Sequence, residues 1–198
     1  QVQEFKYLGI VFTSDGRQER EIDHRINQAS AVARELGRMV VSNVKLSREA
    51  KLAVFRSLFK ATLTYGQQSW ILTERTRSRV QAAEMRFLRR IVGVTRMDRI
   101  RNTDIRLDLG VEPLLLSVEK TQLRWFGHVL RMDAERVARQ ICFAVPDGRR
   151  PVGRPRTRWK DQLIELCGRM EVAPDDIQTQ AEDRIAWRHR ISLLTPRP

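Results

Sequence analysis

Apolar positions recur at intervals of three and four residues along most of the chain, and only the first sixteen residues break that rhythm. There, EFKYLGIVFTSDG concentrates aromatic and β-branched residues and ends in the turn sequence Ser14-Asp15-Gly16, which predicts a strand or the first arm of a hairpin. A single strand is unstable alone, and no second convincing strand follows, so the pattern places its partner upstream of Gln1. From Arg17 the period is helical. Ile22, Ile26, Ala29, Ala33, Leu36 and Val40 form one stripe, which predicts a helix of roughly 20 residues. A second helix starts at Ser47, a good N-cap with Glu49 in the first turn, and buries Leu52, Phe55, Phe59 and Leu63 before Tyr65-Gly66. A third spans residues 75 to 92, with Val80, Glu84, Phe87, Leu88 and Ile91 around one side and Gly93 as its stop.

Downstream, Thr103 is expected to cap a short helix that ends at Gly110. Glu112-Pro113 opens the most apolar helix, which buries Leu115, Val118, Leu123, Trp125, Phe126, Val129 and Leu130 as the expected centre of the core. Asp133 is expected to cap a helix through Cys142, and Pro146-Asp147-Gly148 breaks it. Helices resume at 157 to 170 and 175 to 193, the latter burying Ile177, Ala181, Ile185 and Trp187. The expected fold is mostly α: a helical bundle with a short N-terminal β element and an irregular basic segment. No repeat or low-complexity stretch is visible.

At 198 residues and 41% hydrophobic, the chain can form one sizeable core or two small ones. No run of about 18 apolar residues exists, and residues 1 to 16 lack the basic start and apolar centre of a signal peptide, so an intracellular protein is expected. Cys142 and Cys167 stand apart with no ligand spacing and read as buried helical thiols.

Charge changes the picture more. The net +13 is concentrated in two segments: residues 75 to 106 carry ten arginines against three acids, and residues 148 to 160 carry six cations against none. Such concentration points to a polyanionic partner. Most of the cations are arginine, whose planar fork matches phosphate and stacks on bases, although a GC-rich coding sequence also enriches arginine. On the third helix, Arg75, Arg79, Arg86 and Arg90 fall within about 60 degrees of one another, a basic stripe that is also compatible with a plain solvated face. Thr95 to Asn102 reads as a basic loop.

Catalytic apparatus is not visible. His24, His128 and His189 are far apart, and the chain has no GxGxxG, GK[ST] or GxSxG. Asp98, Asp104 and Asp108 read as caps or partners of adjacent arginines. The segment GRRPVGRPRTRWK contains Gly153-Arg154-Pro155, near the core of a minor-groove AT-hook, but Val152 stands where that motif has arginine. Its cations fit an extended strip tracking a phosphate backbone, or a surface loop pairing with Asp147, Asp161 and Glu165.

The succession FKYLGIVFTSDG, LFKATLTYGQQSW, EMRFLRRIVGVTRMDRIRNTDIR, LGVEPLLLSVEKTQLRWFGHVLRM and GRRPVGRPRTRWKD resembles the C-terminal part of the endonuclease–reverse transcriptases of non-LTR (LINE-type) retrotransposons, over nearly the whole chain and in order. The resemblance implies that residues 1 to 16 end the palm with a primer-grip hairpin at Tyr7, Leu8 and Gly9. It implies a thumb-like bundle over 17 to 109 and a helical extension over 110 to 198, with a basic linker at 143 to 156. The implied partners are RNA template, DNA primer or target, and the upstream palm and fingers, with no membrane; the implied location is nuclear or shuttling.

Nucleic-acid contacts are expected from Arg75, Arg79, Arg86, Arg90, Arg96, Arg99, Arg101, Arg149, Arg150, Arg154, Arg156, Arg158 and Lys160. Such polymerases hold magnesium on paired aspartates of a Phe/Tyr-Ala-Asp-Asp turn, which does not occur in these residues. The expectation is therefore a part of an RNA-directed DNA polymerase that is inactive alone, with no cofactor of its own and no metal site. Two alternatives stand beside it: a separate helical nucleic-acid-binding protein derived from the element, and a protein-interaction module.

Overall fold

The computed structural model describes residues 2–41, 43–144, 153 and 157–197. They form a mostly helical protein with one antiparallel hairpin, as the periodicity predicts. Two compact units divide it, residues 1–117 and 118–198.

In the first unit, β1 (Glu4–Tyr7) pairs with β2 (Ile10–Thr13) in the register Glu4↔Thr13, Phe5↔Phe12, Lys6↔Val11 and Tyr7↔Ile10. This corrects the expectation of a strand without an internal partner. The reversal sits inside the apolar run, at Leu8 (φ 47°) and Gly9 (φ 80°), two left-handed residues of the kind a two-residue hairpin turn requires. Leucine is an unusual occupant of that conformation, which is why the turn was hidden in the sequence. Ser14-Asp15-Gly16 does turn, but after β2: Asp15 Oδ1 accepts from Thr13 Oγ1 at 2.7 Å and from Arg17 N at 3.0 Å.

α1 (Glu19–Leu36) runs into a π-helical turn at Gly37–Val41. α2 (Arg48–Val54), capped by Ser47 Oγ on Ala50 N at 3.2 Å, continues through a π-helical stretch (Phe55–Lys60) into α3 (Ala61–Leu63). Its predicted stripe of Leu52, Phe55, Phe59 and Leu63 is buried. α4 (Glu74–Val92) starts at an N-cap, Thr73, and stops at left-handed Gly93. Phe55, Phe59 and Phe87 form a cluster with ring centroids 4.8 to 5.6 Å apart, the core of this unit together with Ile22, Leu63, Trp70, Val80 and Leu88.

α5 (Asn102–Leu109) follows a basic loop and ends at left-handed Gly110. Its N-cap position is Arg101, so Thr103 lies inside the helix, its hydroxyl bonded to Asp104 rather than to the backbone. Buried Glu84 on α4 accepts from Arg106 Nη2 at 2.6 Å and from Leu114 N at 2.9 Å, tying α5 and the start of α6 (Leu114–Leu130) to α4. Burial pushes the Glu84 carboxyl above its ordinary range, against the pull of Arg106 and the Leu114 amide.

The second unit packs the rest of α6 with α8 (Trp159–Arg169), α9 (Ile177–Glu182) and α10 (Arg184–Leu193), while α7 (Val137–Phe143) contributes no buried residue. Val118, Leu123, Phe126, Leu163, Leu166, Cys167, Trp187 and Ile191 are its core. Several positions differ from expectation. Trp125 is exposed and lies beside His128, ring centroids 5.3 Å apart. Asp133 precedes a turn, with Arg136 N donating to its carbonyl, and α7 starts only at Val137. The last helix is broken at Asp183, whose carboxylate accepts from Ile185 N and Ala186 N. That break resets the helical phase and turns Ile185 out to solvent. Cys142 is half-buried and Cys167 buried, both as thiols.

Candidate nucleic-acid interface

α1 and α4 run side by side in the same direction, because Arg79 pairs with Asp23 near their starts and Arg90 Nη1 donates to Ala33 O at 3.5 Å near their ends. The predicted stripe therefore lies on the edge of α4 that faces α1. Within it, Arg79 is half-buried in its ion pair, whereas Arg75, Arg86 and Arg90 are exposed and have no acidic partner among the described residues. Arg86 and Arg90 line a cleft of about 160 Å3 with Ser30, Ala33, Arg34, Phe59, Ala83 and Phe87. Arg34, which no sequence argument singled out, joins them because α1 brings it there; its only signal was the position one residue past the apolar Ala33.

The loop after Gly93 is held in shape by two sets of contacts. Asp98 Oδ2 accepts from Thr95 N at 2.6 Å and Thr95 Oγ1 at 2.8 Å, and these bonds hold its carboxyl below the ordinary range. Arg89 reaches from α4 to Ile100 O at 3.2 Å and Asn102 Oδ1 at 2.7 Å. Arg89 thus braces the loop, while Arg96, Arg99 and Arg101 are exposed and without acidic partners among the described residues; Arg99 has a left-handed backbone. Nearby Asp108 pairs with Arg48 at 3.1 Å, not with a loop arginine.

The hairpin is latched to the bundle. Buried Arg25 donates Nη2 to Gly9 O at 2.5 Å and Nε to Glu21 Oε1 at 2.6 Å, and its guanidinium lies 4.6 Å from the Tyr65 ring centroid. Glu21 Oε2 accepts from Val11 N at 2.7 Å, and Tyr65 Oη donates to Leu8 O at 2.9 Å. Tyr7 and Leu8 are exposed, and Gly9 is half-buried under Tyr65, its ideal Cβ 3.6 Å from Cε1. Arg25 and Tyr65 were not anticipated; the i, i+4 pair Glu21/Arg25 was the available clue, but such pairs are common on solvated helices.

In the second unit, Arg158 is exposed, and Lys160 Nζ lies 4.6 Å from the Phe143 ring centroid. Trp159 meets Phe126 edge-on at 5.9 Å. Arg149, Arg150, Arg154 and Arg156 lie outside the described residues, as does most of the segment at 143 to 156. Glu165, a candidate partner for that segment, pairs with Arg197 at 3.1 Å. Among the described residues no group of three or more His, Cys, Asp or Glu side chains is placed to hold a metal ion, and no helix is long and apolar enough to cross a membrane.

The chain is 29% identical over 194 residues to a Caenorhabditis elegans protein named as transposon-derived and uncharacterized, a match that covers 94% of this chain and 69% of the relative. No family model matches the chain, and no solved structure matches it. The similarity supports a transposable-element origin for this protein.

Proposed function

We propose that these residues serve as the primer-grip hairpin, thumb and C-terminal extension of a non-LTR retrotransposon reverse transcriptase, holding a template–primer duplex by its phosphate backbone. The observation that carries the proposal is six exposed arginines without acidic partners among the described residues: Arg75, Arg86 and Arg90 on one helix edge, and Arg96, Arg99 and Arg101 on the braced loop that follows it in sequence. A polymerase slides along any template, so phosphate contacts serve it and base readout would obstruct it. The basic linker and Tyr7, Leu8 and Gly9 extend the same reading, and magnesium and chemistry belong to a palm outside these residues. RNA template, DNA primer and the palm and fingers are the proposed partners, in the nucleus or shuttling to it.

Anisotropy titrations of RNA–DNA hybrids of unrelated sequence test this. Six phosphate contacts at about −0.9 each for B-DNA give a log–log salt slope near −5. Paired reversal of Arg86 and Arg90 to Glu should weaken binding equally on every sequence. Sequence-dependent or salt-independent binding would sink the proposal. The internal pairing of β1 with β2 also favours a second reading, an element-derived binder independent of a polymerase. That reading requires tight binding by this chain alone.

A further inference from the structure

The cleft between α1 and α4 combines two chemistries. Ala33, Phe59, Ala83 and Phe87 line it, each no more than 9% exposed, and Arg34, Arg86 and Arg90 line it as exposed cations, with no acid in the lining. An apolar floor under three cations is matched by a ligand with a planar, weakly polar body and an anionic end. Its volume, about 160 Å3, is close to the roughly 150 Å3 cavity that accepts one benzene ring. One six-membered ring is of the size that fits. The floor is already formed, because Phe59 and Phe87 pack on each other at 4.8 Å and on Phe55. Arg90 is steadied by the Ala33 carbonyl at 3.5 Å, which leaves most of its five donors for a ligand. Ser30 is the one uncharged polar residue in the lining, and its hydroxyl makes no hydrogen bond among the described residues, so it can meet a base edge.

We propose that this cleft binds a single unpaired pyrimidine nucleotide, its base on the apolar floor beside Ser30 and its phosphate on Arg34, Arg86 and Arg90. A paired, stacked base cannot enter, so the site takes a nucleotide at a strand end or bulge. The inference rests on the nucleic-acid reading above for its biological setting, but binding at the cleft is measurable without any duplex.

The test is to titrate the isotopically labelled 198-residue chain with uridine 5′-monophosphate while following the backbone amides of Ser30, Ala83 and Arg86, and to repeat with uridine, inorganic phosphate and adenosine 5′-monophosphate. Saturable shifts at these amides are expected, with the pyrimidine nucleotide at least tenfold tighter than any of the other three. Ser30→Leu, a half-exposed position, fills the cleft and should abolish the response with unchanged circular dichroism, while Arg86→Gln should weaken it severalfold. Phosphate or the purine nucleotide binding as tightly, unmoved amides, or an unaffected Ser30→Leu variant would each overturn the proposal. Duplex affinity is measured on the same sample: hybrid binding with unmoved amides refutes the cleft alone, and nucleotide binding without hybrid binding refutes the clamp alone.

Discussion

Gly127 lies directly against Trp187: a Cβ added at 127 would stand 2.3 Å from the indole Nε1 and 2.7 Å from Cδ1. That indole is 2% exposed, and its Nε1 donates to Leu123 O at 3.0 Å, so the absence of a side chain at 127 is what lets α10 rest on α6. A mid-helix glycine ordinarily weakens a helix by about 1 kcal/mol relative to alanine. Here the opposite sign is expected. Gly127→Ala must displace a buried ring and strand its N–H, and should lower stability by about 2 to 4 kcal/mol in urea unfolding. A variant as stable as the parent would mean that the close contact is not made.

The Arg25 latch predicts a local effect. Removing the guanidinium leaves Glu21, 2% exposed, as an uncompensated buried charge, a loss of about 3 to 5 kcal/mol. Arg25→Met should speed hydrogen exchange first at the Val11 amide, which Glu21 holds. Arg25→Met combined with Glu21→Gln should recover much of the stability but not the anchoring of Gly9. Hairpin protection equal to the parent's in both variants would show that Arg25 does not fasten it.

How much of this was legible in the sequence follows from the range of each interaction. The stripe Leu52, Phe55, Phe59 and Leu63, the Ser47 cap and the Gly93 and Gly110 stops are local features, and they stand as read. The hairpin turn was missed because Leu8 adopts a conformation its side chain disfavours. Ile185 was misplaced because Asp183 interrupts a run that looks continuous. The stripe of Arg75, Arg79, Arg86 and Arg90 was visible as spacing, but not that Asp23 neutralises one member or that Arg34 joins from another helix. Those depend on which helix lies beside α4, and a stripe does not name its neighbour.

Glu84 gives a third expectation. With its side chain fully buried and two donors aimed at it, Glu84→Ala should strand Arg106 and lower stability by about 3 to 5 kcal/mol. Replacing Glu84 and Arg106 together by methionine should restore most of that, since a buried ion pair gains little over packed apolar groups. A double variant as unstable as the single one would show that the pair also supports α6 through the Leu114 amide.

Arg89 separates positioning from contact. It braces the basic loop through Ile100 O and Asn102 Oδ1 and does not itself face outward. Arg89→Ala should therefore weaken hybrid binding severalfold with an unchanged salt slope, because the number of phosphate contacts stays the same while their alignment is lost. Arg96→Ala should instead make the slope shallower by about one contact's worth, ~0.9 for B-DNA. A shallower slope for Arg89→Ala would place it among the contacts.

Cys167 contributes to the response to alkaline pH. Burial pushes its thiol up to about 12, while the unfolded thiol ionises near 9. The folded state therefore holds the proton longer: the contribution is fully present below pH 9 and is lost as pH rises from 9 through 12. The share of this thiol is about 1.4 kcal/mol of stability per pH unit across that window. The stability gap between the parent and Cys167→Ala should narrow by that slope when unfolding is compared at pH 9.5 and 10.5, other groups cancelling in the difference. The same burial makes Cys167 unreactive, because the thiolate is the nucleophile, so maleimide at pH 8 should label half-buried Cys142 first and reach Cys167 only after denaturant opens the core. Labelling of both at equal rates in the native protein would contradict the packing of α8 against the rest of its unit.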